Sequence, residues 1–434
     1  MPLPSAWGGV SSRTLPHPSP DAAQRIGPHR LYLLVHSVAR EGKRRVESGD
    51  TQSLAQQSRA RARDTSWLQQ RYAERLASAD ILIDGPRPWD LQLRDARLFR
   101  RCLLKGSLGL GEAFEDGWWD STALDEFFAR LVKARLDQTL PNLPRLLARG
   151  FASLRNGQTL ARAKRVALEH YDLSNELYSA MLDPRMVYTC GYWHSARDLA
   201  EAQDAKLDLV CRKLGLAPGM EVLDIGCGWG SFAAFAASRY GAHVTGVTIS
   251  SEQVSLARQR CAGLPVEIRL EDYRQTTGRF DRIVSLGMFE HVGHKNARNY
   301  MQLARERLAD DGLFLLHTIG RNDEGPGIDP WVTRYIFPNS QIPSLARFCK
   351  AMDRLFVLED LHNIGADYTP TLLAWRSNFE RHWPSIGAVL GDRFRRRWHY
   401  YLSLFAGVFR ARGLQVWQCV LAPTGVAGGY RRVS

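Results

Sequence analysis

Residues 222–231 read VLDIGCGWGS, an apolar run that ends in an acid and continues into closely spaced glycines. Asp224 closes the run, and Gly226, Gly228 and Gly230 follow with one residue between each pair. Glycines directly after a buried strand let a ligand approach the backbone without a Cβ in the way. A dinucleotide site would instead read G-x-G-x-x-G, with its acid about 20 residues further on. The spacing therefore favours S-adenosylmethionine (SAM), which has no pyrophosphate to bind, over a purely structural turn.

From about His170 onward, apolar strands alternate with amphipathic helices. The strand-like segments are GMEVLDIG, AHVTGVTIS, VEIRL, FDRIVSLG, GLFLLHTIG and, near the end of the chain, QVWQCVLA. The helix-like segments include SEQVSLARQRC, which begins at serines suited to cap it, and NARNYMQLARERL. This pattern predicts an α/β fold, with a doubly wound, mostly parallel sheet, for a SAM-dependent catalytic domain over residues 170–434.

Three segments precede this domain. Residues 1–65 are rich in Ser, Pro, Gln and Arg, and we predict a basic, disordered tail that either has no role or contacts anionic lipid headgroups. Residues 66–150 are predicted to form a small, lipid- or membrane-associated N-terminal α+β domain, with ILIDG as a short strand and LDEFFARLVKARLD as a helix. Residues 151–169 read as a basic linker.

The charge of the chain points to an anionic partner. There are 58 Lys and Arg residues against 45 Asp and Glu, a net charge of +13, which suits nucleic acid or an anionic membrane surface. No helix-turn-helix, zinc-finger or RNP pattern is present, which argues against nucleic acid. The longest apolar runs are too short to span a bilayer, and the seven cysteines form no C-x-x-C pair. We therefore predict a cytoplasmic protein with reduced thiols, peripherally associated with the inner face of the cytoplasmic membrane.

Several further segments occur in a distinctive order. They are GSLGLGEAFEDGWWD, EHYDLSNELYSAMLDPRMVYTCGYW, VLDIGCGWG, GVTISSEQ, MFEHVG, LLHTIG, DPWVTRYIFPN and GADYTPTLLAW. On these segments the chain, from about Trp67 to its end, resembles the SAM-dependent family of the cyclopropane-fatty-acyl-phospholipid and mycolic acid cyclopropane synthases. The resemblance implies transfer of a methylene from SAM to the cis double bond of an unsaturated phospholipid acyl chain. It also implies a carbocation that bound bicarbonate deprotonates as the ring closes, and a homodimer.

The resemblance also implies a bicarbonate cradle. Its residues are Cys190, Glu290, His317, Ile319 and Tyr368. We expect His317, Tyr368 and backbone N–H groups near Cys190 to donate to the anion, and Glu290 to accept from its hydroxyl. Each polar member also has a plainer interpretation. Cys190 and Tyr368 could be core side chains, His317 could bond a backbone group, and Glu290 could favour a helix dipole.

For SAM, the resemblance and the glycine turn together give one set of residues. They are Tyr188, Thr189, Asp224, Gly226, Cys227, Gly228, Trp229, Gly230, Thr248, Ser250, Gln253, Asp272 and Tyr273. Many SAM enzymes place an acid at the end of the second strand for the ribose, whereas this chain reads GVTISSEQ there. Thr248, Ser250 or Gln253 would take that role. Asp272 and Tyr273 would meet the adenine, unless they form only a solvated turn.

Two basic segments are candidates for lipid contact. IPSLARFCKAMDRLF reads as an amphipathic helix, and RFRRRWHYYLSLF places Arg393 and 395–397 beside aromatic residues. The plainer interpretation of each is a helix with one core face and one solvated basic face. The segment WVTRYIFPNSQIPS is predicted to be a lid over the acyl tunnel. Two rival functions remain, a small-molecule N-methyltransferase and an enzyme that methylates or hydroxylates the alkene without closing a ring.

Overall fold

The computed structural model describes residues 67–136, 175–325 and 327–433. The predicted tail, the predicted linker and residues 137–150 of the predicted N-terminal domain lie outside these ranges. The elements are, in chain order, β1 (Gln92–Leu93), α1 (Arg97–Lys105), α2 (Ser107–Glu115), β2 (Trp119–Asp120), α3 (Leu124–Lys133), α4 (Asn175–Met181), α5 (Leu199–Lys213), β3 (Glu221–Ile225), α6 (Ser231–Tyr240), β4 (His243–Thr248), α7 (Ser251–Arg260), β5 (Val266–Leu270), β6 (Phe280–Leu286), α8 (Ala297–Arg307), β7 (Leu308–Gly320), α9 (Pro330–Tyr335), α10 (Leu345–Met352), β8 (Val357–Asn363), α11 (Tyr368–Leu390), α12 (Asp392–Arg410) and β9 (Gln415–Ala422).

A seven-stranded sheet has the strand order β5-β4-β3-β6-β7-β9-β8. Strands β3 to β7 pair in parallel, while β9 pairs antiparallel with both β7 and β8. The predicted α/β fold with a doubly wound, mostly parallel sheet is therefore confirmed. The strand order reverses between β3 and β6, because β4 lies on one side of β3 and β6 on the other. Ligands of such sheets bind at the carboxyl ends of the strands beside this reversal.

Two local expectations differ from the structure. The segment ILIDG forms no strand but one isolated bridge, between Ile83 and Leu91, because the chain turns at Asp84 with a φ of +53°. Strand β8 was not among the strands predicted from the sequence. It is the edge strand of the sheet, and its charged, half-exposed residues hide the apolar alternation that marks a strand.

Residues 67–136, called here the N-terminal layer, pack against α9, α11 and α12. Asp125 of α3 pairs with Arg376 of α11 at 2.9 Å and with Arg410 of α12 at 2.7 Å. The fully buried side chain of Glu115 in α2 accepts a hydrogen bond of 3.0 Å from the indole of Trp331. Charged contacts therefore join this layer to the segment that is predicted to be a lid.

The arginines of α12 that the sequence predicts at a lipid surface form ion pairs within the protein. Arg393 and Arg397 approach Glu115 at 3.3 and 2.8 Å, and Arg395 approaches Glu380 at 2.6 Å. The predicted helix in IPSLARFCKAMDRLF is present as α10, with its apolar face buried. Among the described helices, none combines the length and the hydropathy needed to cross a bilayer.

Replacing Gly111 in α2 with alanine is expected to lower the free energy of unfolding by about 1–3 kcal/mol. A Cβ at this position would lie 2.4 Å from Cδ1 of Trp331, whose indole is fully buried and cannot move aside. At an uncrowded helix position the same change would stabilise the protein by about 1 kcal/mol, so the sign of the effect is diagnostic. Urea unfolding gives the measurement. Leu104→Ala on the exposed side of α1 is the control, with a change within about 0.5 kcal/mol; a Gly111→Ala protein as stable as the wild type would contradict the prediction.

Candidate functional site

A cavity of about 220 Å³ opens at the carboxyl ends of β3 to β6. The residues predicted to bind SAM line it with one exception; they are Tyr188, Thr189, Asp224, Gly226, Cys227, Gly228, Trp229, Thr248, Ser250, Gln253, Asp272 and Tyr273. The exception is Gly230, which caps the N-terminus of α6 with a φ of +76°. The glycine turn and the loops after β4 and β5 thus meet in one cavity.

The end of β3 brings a buried carboxylate to this cavity. Asp224 is almost fully buried, and its Oδ2 has no hydrogen-bond partner among the described residues. Burial raises the pKa of Asp224 to about 7, and the positive charge of Lys206 opposes that rise. A buried acceptor without a partner fits a ligand with a donor group, such as the ammonium of the methionine part of SAM.

The loop after β4 fixes Gln253 at the cavity wall. The Thr248 hydroxyl donates to Oε1 of Gln253 at 2.9 Å, while the Ser250 hydroxyl accepts from the Gln253 N–H and caps α7. The amide nitrogen of Gln253 is thereby the donor that this loop can offer to ribose hydroxyls. The structure thus gives Ser250 a capping role at the start of α7.

The loop after β5 contains two acids, Asp272, which the sequence analysis predicted, and Glu271, which it missed. Asp272 accepts hydrogen bonds from the Arg274 guanidinium at 2.7 and 2.6 Å. The neighbouring Glu271 also lines the cavity, and its buried Oε1 has no partner in the described part of the chain. Its position beside the predicted pair is the signal that could have identified it.

Glu290 lies in a short 3₁₀ turn after β6. It is buried, its Oε1 accepts a hydrogen bond of 2.5 Å from the Ile319 N–H, and its Oε2 has no partner among the described residues. Burial raises the pKa of Glu290 to about 7. The turn itself is held from the lid side, because the Gln341 N–H donates to the Glu290 carbonyl at 2.8 Å. Glu290 therefore presents one free, buried carboxyl oxygen.

His317 and Cys190 are both buried and both uncharged. Burial, with the charges of Lys206 and Lys213, lowers the pKa of His317 well below its ordinary value, so the imidazole is neutral. Burial raises the pKa of the Cys190 thiol well above its ordinary value. A thiol without thiolate character is a poor nucleophile, so Cys190 can contribute only weak hydrogen bonding and shape.

The contacts join the five predicted cradle residues in two groups. Glu290 is bonded to Ile319, and His317 lies two residues earlier on β7, on the same face of that strand. The Cys190 thiol donates to the Ile364 carbonyl at 3.7 Å, in the segment that leads to Tyr368. Cys190, Tyr368 and the half-buried Ile319 then share one apolar cluster.

Helix α5 contributes two residues that the sequence analysis did not identify. Gln203 donates to the Thr189 carbonyl at 2.8 Å, and Lys206 donates to the Thr189 hydroxyl at the same distance. Both side chains are fully buried. The sequence signal is a pair of polar residues at i and i+3 within LAEAQDAKLDLV, which is hard to distinguish from a solvated helix face.

A second, apolar cavity of about 240 Å³ lies between the N-terminal layer and α12. Leu98 and Phe127 line it from the layer, Phe405 from α12, and Val332 and Ile342 from the two ends of the lid segment. The N-terminal layer thus forms one wall of a cavity that the catalytic domain alone would not enclose.

Aromatic side chains separate the two cavities. The Tyr188 and Tyr401 hydroxyls are 2.8 Å apart, and the Phe337 ring lies 5.8 Å from Tyr401 and 6.1 Å from Phe405. Tyr188 also packs against Trp375, with 5.1 Å between the ring centroids. Such a wall offers ring faces to a cation formed near either cavity.

The chain is similar to known proteins over most of its length. The sequence model of the family described as mycolic acid cyclopropane synthetase matches residues 158–419. The cyclopropane-fatty-acyl-phospholipid synthase of Escherichia coli (strain K12) is 48% identical over 359 residues, which cover 82% of this chain and 94% of that protein. The cyclopropane synthase MmaA2 from Mycobacterium tuberculosis matches with a TM-score of 0.57 at 31% identity, covering 60% of this chain and 98% of the other. The mycolic acid cyclopropane synthase CmaA1, complexed with SAH and CTAB, gives 0.56 at 30% identity, covering 59% and 97%.

Proposed function

Because the chain belongs to the mycolic acid cyclopropane synthetase family and is a SAM-dependent methyltransferase acting on lipid acyl chains, we propose that its substrate is an unsaturated phospholipid. The cis double bond of an acyl chain becomes a cyclopropane ring, and bicarbonate is the base. The observation that carries the proposal is Glu290, whose free oxygen is buried and whose other oxygen is bonded to Ile319 on β7, two residues from the neutral His317. An anion with its own hydroxyl fits this set, because Glu290 can accept from it and His317 can donate.

SAM supplies an electrophilic methyl group when it is bound. The residues of the first cavity would hold it, with the free oxygen of Asp224 at the ammonium and the Gln253 amide at the ribose. An alkene is a weak nucleophile, so these residues contribute mainly by fixing the methyl group against it. Because the cavity lies at the strand ends beside Glu290, the donor and the cradle can serve one reacting carbon.

Bicarbonate supplies a base for the proton that leaves as the ring closes. Glu290 would accept from its hydroxyl, while His317 and Tyr368 would donate to its oxygens. The surrounding residues also exclude water, which would otherwise trap a carbocation as an alcohol. Aromatic faces at Tyr188 and Trp375 favour the cation without reacting with it.

The second cavity suits the acyl chain. Its lining is mostly aliphatic and aromatic, and each methylene transferred there from water gains about 0.8 kcal/mol. The lid segment reaches from this cavity, at Val332 and Ile342, to the first cavity, at Pro338 and Asn339. A chain held along the lid would pass the aromatic wall next to the methyl donor.

Membrane association and dimerisation belong to the same proposal. We expect a cytoplasmic homodimer that acts at the anionic inner face of the cytoplasmic membrane. The net charge of +13 supports this, as does α10, where Arg347 and Lys350 are exposed and Phe348 is buried. Each basic residue near such a surface contributes about 1 kcal/mol to binding.

Mass spectrometry of the lipids tests the proposal. Purified protein is incubated with SAM, bicarbonate and vesicles of a cis-monounsaturated anionic phospholipid, with fully saturated vesicles as the control. We expect a gain of one CH₂ per modified chain, in a product that resists mild hydrogenation. A gain of CH₂ with a surviving double bond would instead show methylation, and a gain of CH₄O would show a cation trapped by water. Unchanged lipids with intact SAM binding would redirect the search to a small-molecule acceptor.

A further inference from the structure

Two lysines on α5 are fully buried. Lys206 and Lys213 lie seven residues apart, so both face the protein interior on the same side of the helix. A buried ammonium is costly unless it is paired or hydrogen-bonded, so each must have a compensating environment. Lys213 has an ordinary one, with His362 at 3.0 Å and Asp360 at 3.6 Å on the edge strand β8.

The environment of Lys206 is the methyl-transfer site itself. Its ammonium donates to the hydroxyl of Thr189, which lines the SAM cavity and precedes Cys190 in the chain. The charges of Asp183 and Asp224 act on it as well, against a burial that lowers its pKa to about 8. Asp224 is the acid whose free oxygen is available to SAM.

The Thr189 peptide has little freedom around this contact. Gln203, one turn earlier on α5, holds its carbonyl, and a Cβ on Gly287 would lie 2.7 Å from the Thr189 methyl group. The segment from Tyr188 to Cys190 is thus fixed from α5 on one side and from the end of β6 on the other. It connects the SAM cavity with the predicted bicarbonate cradle, so a small shift would change both.

We propose that Lys206 is a positioning residue for methyl transfer: its ammonium fixes Thr189 and the Tyr188–Cys190 segment, and its charge compensates Asp224 at the SAM cavity. The reaction that Lys206 would assist is the one given under the proposed function, on which this proposal rests. The position of Lys206 comes from the contacts of α5. Lys206 is not among the residues that line the SAM cavity, so it acts through its hydrogen bond to Thr189 and through its charge.

The test compares Lys206→Met with Lys213→Met, which removes an equally buried charge from the same helix away from the cavity. We expect Lys206→Met to weaken SAM affinity and to lower kcat by roughly 10- to 100-fold each. Lys213→Met should lose stability as well but keep SAM affinity within about twofold, and its kcat should fall less than that of Lys206→Met, because its charge acts only on the already neutral His317. SAM affinity is measured by calorimetry without lipid, and kcat by product formation. Equal losses in both variants, or no loss in Lys206→Met, would overturn the proposal.

A second variant guards against a Lys206→Met protein that does not fold. Thr189→Val removes only the hydroxyl that accepts from Lys206 and keeps the shape of the side chain, so it should reproduce much of the loss in kcat. In a double variant the two losses should not add, because both changes break one contact. Fully additive losses would show that Lys206 acts elsewhere. If the wild type binds SAM but forms no cyclopropane, the proposed function fails, whereas the calorimetric comparison still decides the role of Lys206.

Discussion

Glu290→Gln is expected to lower kcat for ring formation by about 100-fold or more and, at the same time, to stabilise the ligand-free protein at pH 8. The glutamine carbonyl can still accept the hydrogen bond that Oε1 receives from the Ile319 N–H, so the turn keeps its shape. The second oxygen, which has no partner among the described residues, becomes an NH₂ donor. That group cannot accept from a bicarbonate hydroxyl, and the loss should therefore appear in kcat.

The gain in stability follows from the pKa of Glu290. Burial raises this pKa from the usual 4.5 to about 7 in the folded protein. The folded state therefore favours the neutral acid, and ionisation costs stability as the pH rises from about 4.5 to about 7. Above that range the cost is complete and on the order of 3 kcal/mol. Glutamine carries no charge, so the variant escapes this cost at pH 8.

Urea unfolding at pH 5 and pH 8, together with lipid product assays at saturating bicarbonate, checks both halves of the prediction. Asp125→Asn is the matched control, because Asp125 is also buried but lies in the N-terminal layer. Burial alone would raise its pKa, yet the guanidinium groups of Arg376 and Arg410 lower it, so ionisation stabilises the fold. This variant should lose stability at pH 8 and keep kcat within about twofold. A Glu290→Gln enzyme with full activity would remove Glu290 from the reaction.

The pH dependence of the wild type gives an independent readout. If Glu290 must be ionised to accept the hydrogen bond from the bicarbonate hydroxyl, kcat/KM should rise with pH through an inflection near 7. The same limb should be absent from the residual activity of Glu290→Gln. A limb that persists in the variant would belong to another group.

The sheet could be predicted from the sequence because its signals are local. The central strands β3 and β4 are mostly buried apolar runs, and the glycine turn after β3 marks its carboxyl end. Strand β8 gave no such signal, because its residues VLEDLHN mix charged, half-exposed side chains with the apolar ones. The ion pair of Arg397 could not be predicted either, because its partner Glu115 is distant in sequence. A basic helix face looks alike whether it meets lipid or an acidic layer of the same protein.

The site residues also divide into those that the sequence could predict and those that only the structure reveals. Most residues around the SAM cavity follow strand ends, where position along the chain is enough to gather them, whereas Tyr188 and Thr189 were expected only through the family resemblance. Lys206 and Gln203 belong to a helix interior, and their role depends on which loop packs against that helix. Only the three-dimensional structure shows that this loop carries Thr189. The free oxygen of Glu290 is likewise a property of its surroundings rather than of the MFEHVG segment.

Gly226→Ala is expected to cost about 3 kcal/mol of unfolding free energy and to weaken SAM affinity at least 10-fold. Gly226 has a φ of +82°, where an alanine is strained, and its Cβ would lie 2.8 Å from Cγ of Met288. Met288 lines the SAM cavity and precedes the turn that carries Glu290. The collision therefore reaches both the cofactor and the cradle.

Gly228→Ala separates the backbone strain from the collision. Gly228 lies in the same turn with a φ of +54°, but a Cβ there would meet nothing within 4 Å. Its unfolding free energy should fall by only about 1 kcal/mol, which is the strain of the left-handed conformation alone. The difference between the two variants then measures the contact with Met288. Adding Met288→Ala should recover only the part due to Cγ in the Gly226→Ala protein, because the Met288 Cβ would still lie 2.9 Å from the added Cβ, and it should recover nothing in Gly228→Ala. Equal unfolding free energies for Gly226→Ala and Gly228→Ala would contradict the prediction. They would show that glycine is not required at 226 by the close approach of Met288.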